Sequence, residues 1–98
     1  MGAIGLANGQ VWGAQGSAVV MLLRFAASFA STIEVAQLIE TAIAMNGLGI
    51  DLAAIDDAKV ADELRQALLK GSAAMRDHLS GLIGLTEEFE MMLRAVDE

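Results

Sequence analysis

The sequence predicts an all-α chain: a small helical hairpin or three-helix arrangement with a long N-terminal apolar helix, completed by oligomerisation. Three observations lead there. None of the 98 residues is proline, so nothing forces a helix to stop. Ala, Leu, Met and Ile dominate residues 17–46. From Met75 onward, Leu79, Leu82, Thr86, Phe89, Leu93 and Val96 follow at alternating spacings of four and three residues, a heptad seam with one polar member. The expected organisation is one helical domain over 1–98: a Gly-rich leader at 1–16, an apolar helix at 17–46, an amphipathic helix at 51–70, and a heptad-like helix or helix pair at 72–97.

In the leader, Gly2, Gly5, Gly9, Gly13 and Gly16 are separated by 3, 4, 4 and 3 residues. On a helix they share one face, and rows of small residues let helix backbones approach closely. Asn8-Gly9 is a turn signal, and glycine weakens an isolated helix, so a mobile leader is the competing reading. Trp12, the single Trp, fits an interface anchor or a side chain packed over a helix end.

Between Ser17 and Asn46 the periodicity is clearest in the second half. There Val35, Leu38, Ile39, Ala42 and Ile43 keep to one face and Glu34, Gln37 and Thr41 to another. Ser31 and Glu34 fit a capping box, which admits a kink; a continuous helix is the expected form, because short polar side chains bond to carbonyls one turn back. Gly47 and Gly49 mark the clearest break in the chain.

Asp51, Asp56 and Asp57 are candidate N-caps for the next helix. Its apolar stripe is Val60, Leu64, Ala67 and Leu68. Lys70-Gly71-Ser72 reads as a last turn, a C′ glycine and a new cap, which makes Gly71 the expected hinge between two antiparallel helices. Gly81, Gly84 and Thr86 offer an alternative break near Gly84 within the last segment.

The net charge of −7 is carried almost wholly by the second half, where eleven acids face five bases; residues 1–50 hold only Arg24, Glu34 and Glu40. No Lys/Arg cluster of the kind that displaces counterions is present, which argues against a nucleic-acid binder. No Lys or Arg precedes Arg24, so a secretory signal is not expected and a cytoplasmic location is favoured. The most apolar window, residues 18–30, is 13 long with Arg24 at its middle, short of a bilayer span of about 20.

Chemistry has little to work with. Without Cys there is no thiolate and no Cys-ligated metal. Asp56-Asp57, Asp62-Glu63 and Glu87-Glu88 are adjacent pairs that diverge on a helix, and no EF-hand or phosphate-cradling motif occurs. His78 is the single histidine. Its surroundings, DHLSGLIG, loosely resemble the phospho-accepting helix of histidine phosphotransfer domains, although Gly81 and Leu82 stand where a Lys-Gly follows in those domains. The resemblance implies a phosphotransfer role for His78.

No catalytic, cofactor-binding or metal-binding residue is therefore assigned. A 55% apolar composition exceeds what a lone small bundle readily hides, which makes oligomerisation the natural outlet. The expected function is that of a non-enzymatic interaction protein, self-associating or a subunit of a larger assembly. The expected interface is Trp12, Met21, Leu22, Phe25, Phe29, Leu38, Met75, Leu79, Leu82, Phe89, Met92, Leu93 and Val96. A membrane-associated subunit that uses the Gly row and residues 18–30 is the alternative.

Overall fold

A computed structural model describes residues 2–6, 8–78 and 83–95. The chain is mixed α/β rather than all-α. In order it forms β1 (Gly2–Gly5), β2 (Val11–Ala14), α1 (Gly16–Ala27), α2 (Ile33–Ala44), β3 (Ile50–Asp51), a 3-10 turn (Leu52–Ala54), α3 (Ala58–His78) and α4 (Ile83–Ala95). The strands make one sheet in the order β2-β1-β3, antiparallel between β1 and β2 and parallel between β1 and β3.

The leader is neither helical nor unstructured. Ile4 and Trp12 are opposite partners in the β1–β2 ladder, and with Leu6 and Ile50 they are buried on one face of the sheet. That is a period of two, which a helical face cannot satisfy. The turn signal at Asn8-Gly9 decides the outcome. Gly9 N–H donates to the Leu6 carbonyl at 3.0 Å, Asn8 Oδ1 accepts from Gln10 N–H at 3.0 Å, and Gly9 takes φ +87°, a conformation natural to glycine. Gln10 returns the pairing by accepting from Leu6 N–H at 2.8 Å.

The expected continuous helix over residues 17–46 is two helices of 12 residues each. Ser28 Oγ donates to the Phe25 carbonyl at 2.7 Å, occupying an acceptor in the last turn of α1. Thr32 then adopts extended backbone, φ −136° and ψ 161°, and its hydroxyl accepts from Val35 N–H at 3.3 Å. The cap thus sits one residue beyond Ser31, at the residue whose backbone has left the helix. Thr32→Ala is expected to remove about 1 kcal/mol of stability, read as a lowered urea midpoint with unchanged m-value.

α2 ends in a Schellman arrangement. Gly47 N–H donates to the Ala42 carbonyl at 2.8 Å and Asn46 N–H to the Ile43 carbonyl at 3.1 Å, with Asn46 in the left-handed region at φ +59°. The break expected at Gly47 and Gly49 is present, and it sends the chain back along β1, where Ala3 N–H donates to the Gly47 carbonyl at 3.0 Å. Asp51 caps the 3-10 turn through Ala53 N–H at 3.1 Å. Asp57 accepts from Lys59 N–H at 2.9 Å through its side chain and from Ala61 N–H at 3.0 Å through its carbonyl, starting α3.

Gly71 is not a hinge. α3 runs unbroken through it, 21 residues from Ala58 to His78. A β-carbon added at Gly71 would lie 2.5 Å from the Ala26 nitrogen and 2.6 Å from its α-carbon, so Gly71 and Ala26 mark where the backbones of α3 and α1 cross almost in contact. The helical cost of a glycine is accepted here for a close crossing.

α4 returns along α3. Arg76 and Glu90 form an ion pair although 14 residues apart, a separation that would span about 21 Å on one continuous helix. Of the two forms expected over 72–97, one helix or a helix pair, the single helix is therefore excluded, and the boundary expected at residues 71–72 lies inside α3. The alternative of a break near Gly84 fits better, since α3 ends at His78 and α4 begins at Ile83, the residue before Gly84. Ile4, Trp12, Leu22, Leu23, Ile39, Leu64, Leu68, Met75, Phe89 and Leu93 belong to one core between the sheet and the helices. Trp12 and Phe89 close it, their ring centroids 4.5 Å apart and tilted by 38°.

Candidate interaction surface

The residues expected at an interface divide into three groups. Trp12, Leu22, Met75, Phe89 and Leu93 are buried within the chain, and Phe25 and Met92 are half-buried. The Met75–Phe89–Leu93 part of the seam is therefore a contact between α3 and α4 of one molecule, not between molecules. Met21, Phe29 and Leu38 are exposed. Leu79, Leu82 and Val96 lie outside the described residues.

Of the exposed three, Leu38 belongs to a larger face. α2 buries Val35, Ile39 and Ala42 against the core. Leu38 and Met45 lie on a flank of α2 outside that contact, interleaved with Glu34 and Thr41 at intervals of four, three and four residues. Leu38 stays 37% exposed and Met45 52%. The Asn46–Gly49 turn then places Leu48 at the surface, 43% exposed, and β3 follows it.

The sheet continues this face. Side chains alternate along a strand, so burying Ile4, Trp12 and Ile50 turns Ala3, Gly5, Val11, Gly13 and Asp51 to the opposite side. That side carries small residues except for Val11, which is 62% exposed, and Asp51. The Asp51 side chain lies across Gly5, where an added β-carbon would meet Oδ1 at 2.7 Å. Val11 and Leu48 are binding-surface candidates that helical periodicity could not find, whereas Met45 continues the spacing of α2; the signal available for Val11 was its alternation with Trp12 after Asn8-Gly9.

Three depressions adjoin one another along this face. The first, of about 370 Å³, lies between α2 and the start of α3 and includes Glu34, Leu38 and Val60. The second, of about 200 Å³, shares Leu38 and is walled by Ile50, Ile55 and Leu64 beside β3. The third, of about 260 Å³, shares Gly49, Ile50 and Asp51 with the second and reaches Leu48 and Val11. The second and third are small for a site that must enclose a drug-sized ligand, and the three together form a shallow furrow of the kind that seats side chains.

Elsewhere the geometry offers less. His78 is exposed at the end of α3, with Nδ1 2.9 Å from the Ala74 carbonyl and its ring 5.5 Å from that of Phe25. This seats the imidazole on its own helix and on an aromatic neighbour. Arg76 and the buried carboxylate of Glu90 hold α4 on α3 beneath a depression also lined by Glu87, Met91 and Arg94. Among the described residues, no three His, Asp or Glu side chains converge as a metal site, and no helix is long and apolar enough to cross a membrane. The Gly row invoked for membrane packing lies largely in the β1–β2 hairpin.

Comparison with known protein families, with curated proteins and with solved structures gives no match to this chain.

Proposed function

We propose that this chain is a non-enzymatic interaction protein, a subunit that joins a protein assembly through the face running from α2 across β3 to the open side of the sheet. One observation carries the reading. Leu38, Leu48 and Val11 line adjoining depressions and stay exposed, and Met45, also exposed, follows Leu38 at the end of α2. Scattered exposed apolar residues are ordinary, but a contiguous apolar face bordered by polar groups is characteristic of an interaction site. Glu34, Gln37 and Thr41 supply such a border.

The test is a pair of surface substitutions. Leu38→Glu with Met45→Glu removes apolar area from the face without touching a buried side chain. The double variant is expected to keep the wild-type melting temperature to within about 3 °C. It is also expected to weaken association by about tenfold or more, measured by light scattering and by co-purification from the native source. A wild-type chain that stays a 10.2 kDa monomer at micromolar concentration and has no co-purifying partner would overturn the proposal, as would a double variant that associates like the wild type.

A further inference from the structure

We infer that the α2–β3 furrow takes a protein segment that is apolar and basic, one that places a large apolar side chain between Leu38, Ile50, Ile55 and Leu64 and Lys or Arg side chains beside Glu34 and Asp51. This rests on the docking role proposed for the face and adds the chemistry of its occupant. The second depression supplies the apolar half of the argument, since its walls are mainly aliphatic and two of them, Ile50 and Leu64, belong to the core. An incoming apolar side chain there extends an existing hydrophobic cluster.

Charge supplies the other half. Glu34 lines the furrow at one end, and Asp51 lines its middle and its sheet end. Among the described residues, no Lys or Arg lines the three depressions. Both acids are exposed, and the Asp51 carboxylate is held in place by Gly5 beneath it and by Ala53 N–H. A furrow lined by carboxylates and by none of the described cations selects a cationic partner and repels an acidic one.

The same charges argue against a second copy of this chain as occupant. In a two-fold contact the face meets itself, which sets Glu34 and Asp51 against the acids of the other copy. The chain as a whole carries a net charge of −7, adding repulsion over a longer range. Lys59, next to Val60 at the furrow's end, is exposed but lines none of the depressions.

The experiment uses methyl-labelled full chain at low salt with three synthetic peptides: alternating Leu and Lys, alternating Leu and Glu, and alternating Ser and Lys. The Leu-Lys peptide is expected to shift the methyl resonances of Leu38, Ile50, Ile55 and Leu64 and to bind about tenfold more tightly than either of the others. Glu34→Gln with Asp51→Asn is expected to remove most of that advantage, while the amide oxygen introduced by Asp51→Asn still accepts from Ala53 N–H and keeps the turn. Equal binding of the Leu-Glu peptide in the furrow, or unchanged affinity in the double variant, would overturn the basic-partner inference and leave the docking face standing. A free chain of doubled mass with the Leu38 and Ile55 methyls occluded would overturn it in favour of a second copy. Shifts from no peptide at these methyls would overturn both the inference and the docking role.

Discussion

Replacing Phe89 by Ala is expected to destabilise the protein by about 3–5 kcal/mol. Phe89 is fully buried on α4 and stacks obliquely against Trp12 from β2, so its ring joins the C-terminal helix to the N-terminal hairpin. A domain of this size has about 5–15 kcal/mol in total, and each kcal/mol moves the melting temperature by roughly 4–8 °C. Calorimetry should therefore show a fall of about 15 °C or more, and Trp12 emission in the folded variant should shift to longer wavelength as its apolar neighbour disappears. Phe89→Leu retains most of the volume and is expected to lose much less, leaving chiefly the ring–ring contribution of about 1 kcal/mol. A variant Phe89→Ala as stable as the wild type would mean that α4 does not pack on the hairpin.

Gly71→Ala has the second largest expected effect, and the magnitudes decide its sign. In an exposed helix the substitution stabilises by about 1 kcal/mol, because Ala has the better helix propensity. Here the added β-carbon meets backbone atoms of Ala26 at 2.5 and 2.6 Å, and a helix backbone cannot rotate away as a side chain could. Overpacking typically costs about 1–3 kcal/mol, and contact with backbone belongs at the upper end. A net loss of about 2 kcal/mol is expected by urea unfolding, rising further for Gly71→Val. A stabilised Gly71→Ala would place the α1–α3 crossing elsewhere.

These two residues also show where the sequence was and was not readable. Periodicity marked Phe89 as a packing residue, but a heptad pattern reads the same whether its partner belongs to the same chain or another. The partner is Trp12, 77 positions earlier, and no local signal connects the two. Gly71, expected as a left-handed C′ residue, is instead a place of close approach, and glycine serves both. Only the position of Ala26 distinguishes them. Local signals succeeded where local chemistry governs: the break at Gly47 and Gly49, the inward row Val35, Ile39 and Ala42, and the cap at Asp57; Asp51 caps only the 3-10 turn, so the helix expected from residue 51 starts at Ala58.

The hairpin was hidden for a particular reason. The glycines of the first sixteen residues are spaced 3, 4, 4 and 3 apart, which imitates a helical face. Strands four residues long leave Ile4, Val11 and Trp12 as the only β-favouring side chains in β1 and β2. β3, two residues long, has no pattern of its own and is positioned by pairing with β1. The candidate surface inherits the same limit. Leu38 was legible as an apolar residue on α2, whereas Val11 and Leu48 join it only through the hairpin and the parallel pairing of β1 with β3.

The docking face is tested most directly by hydrogen exchange on the chain purified within its native assembly, compared with the free chain. Slowed exchange is expected over the C-terminal half of α2, Leu48 to Asp51 and the adjoining part of β1, with exchange over Lys70 to His78 unchanged. Protection gained over Lys70 to His78 instead, or no difference between the two samples, would contradict the docking role.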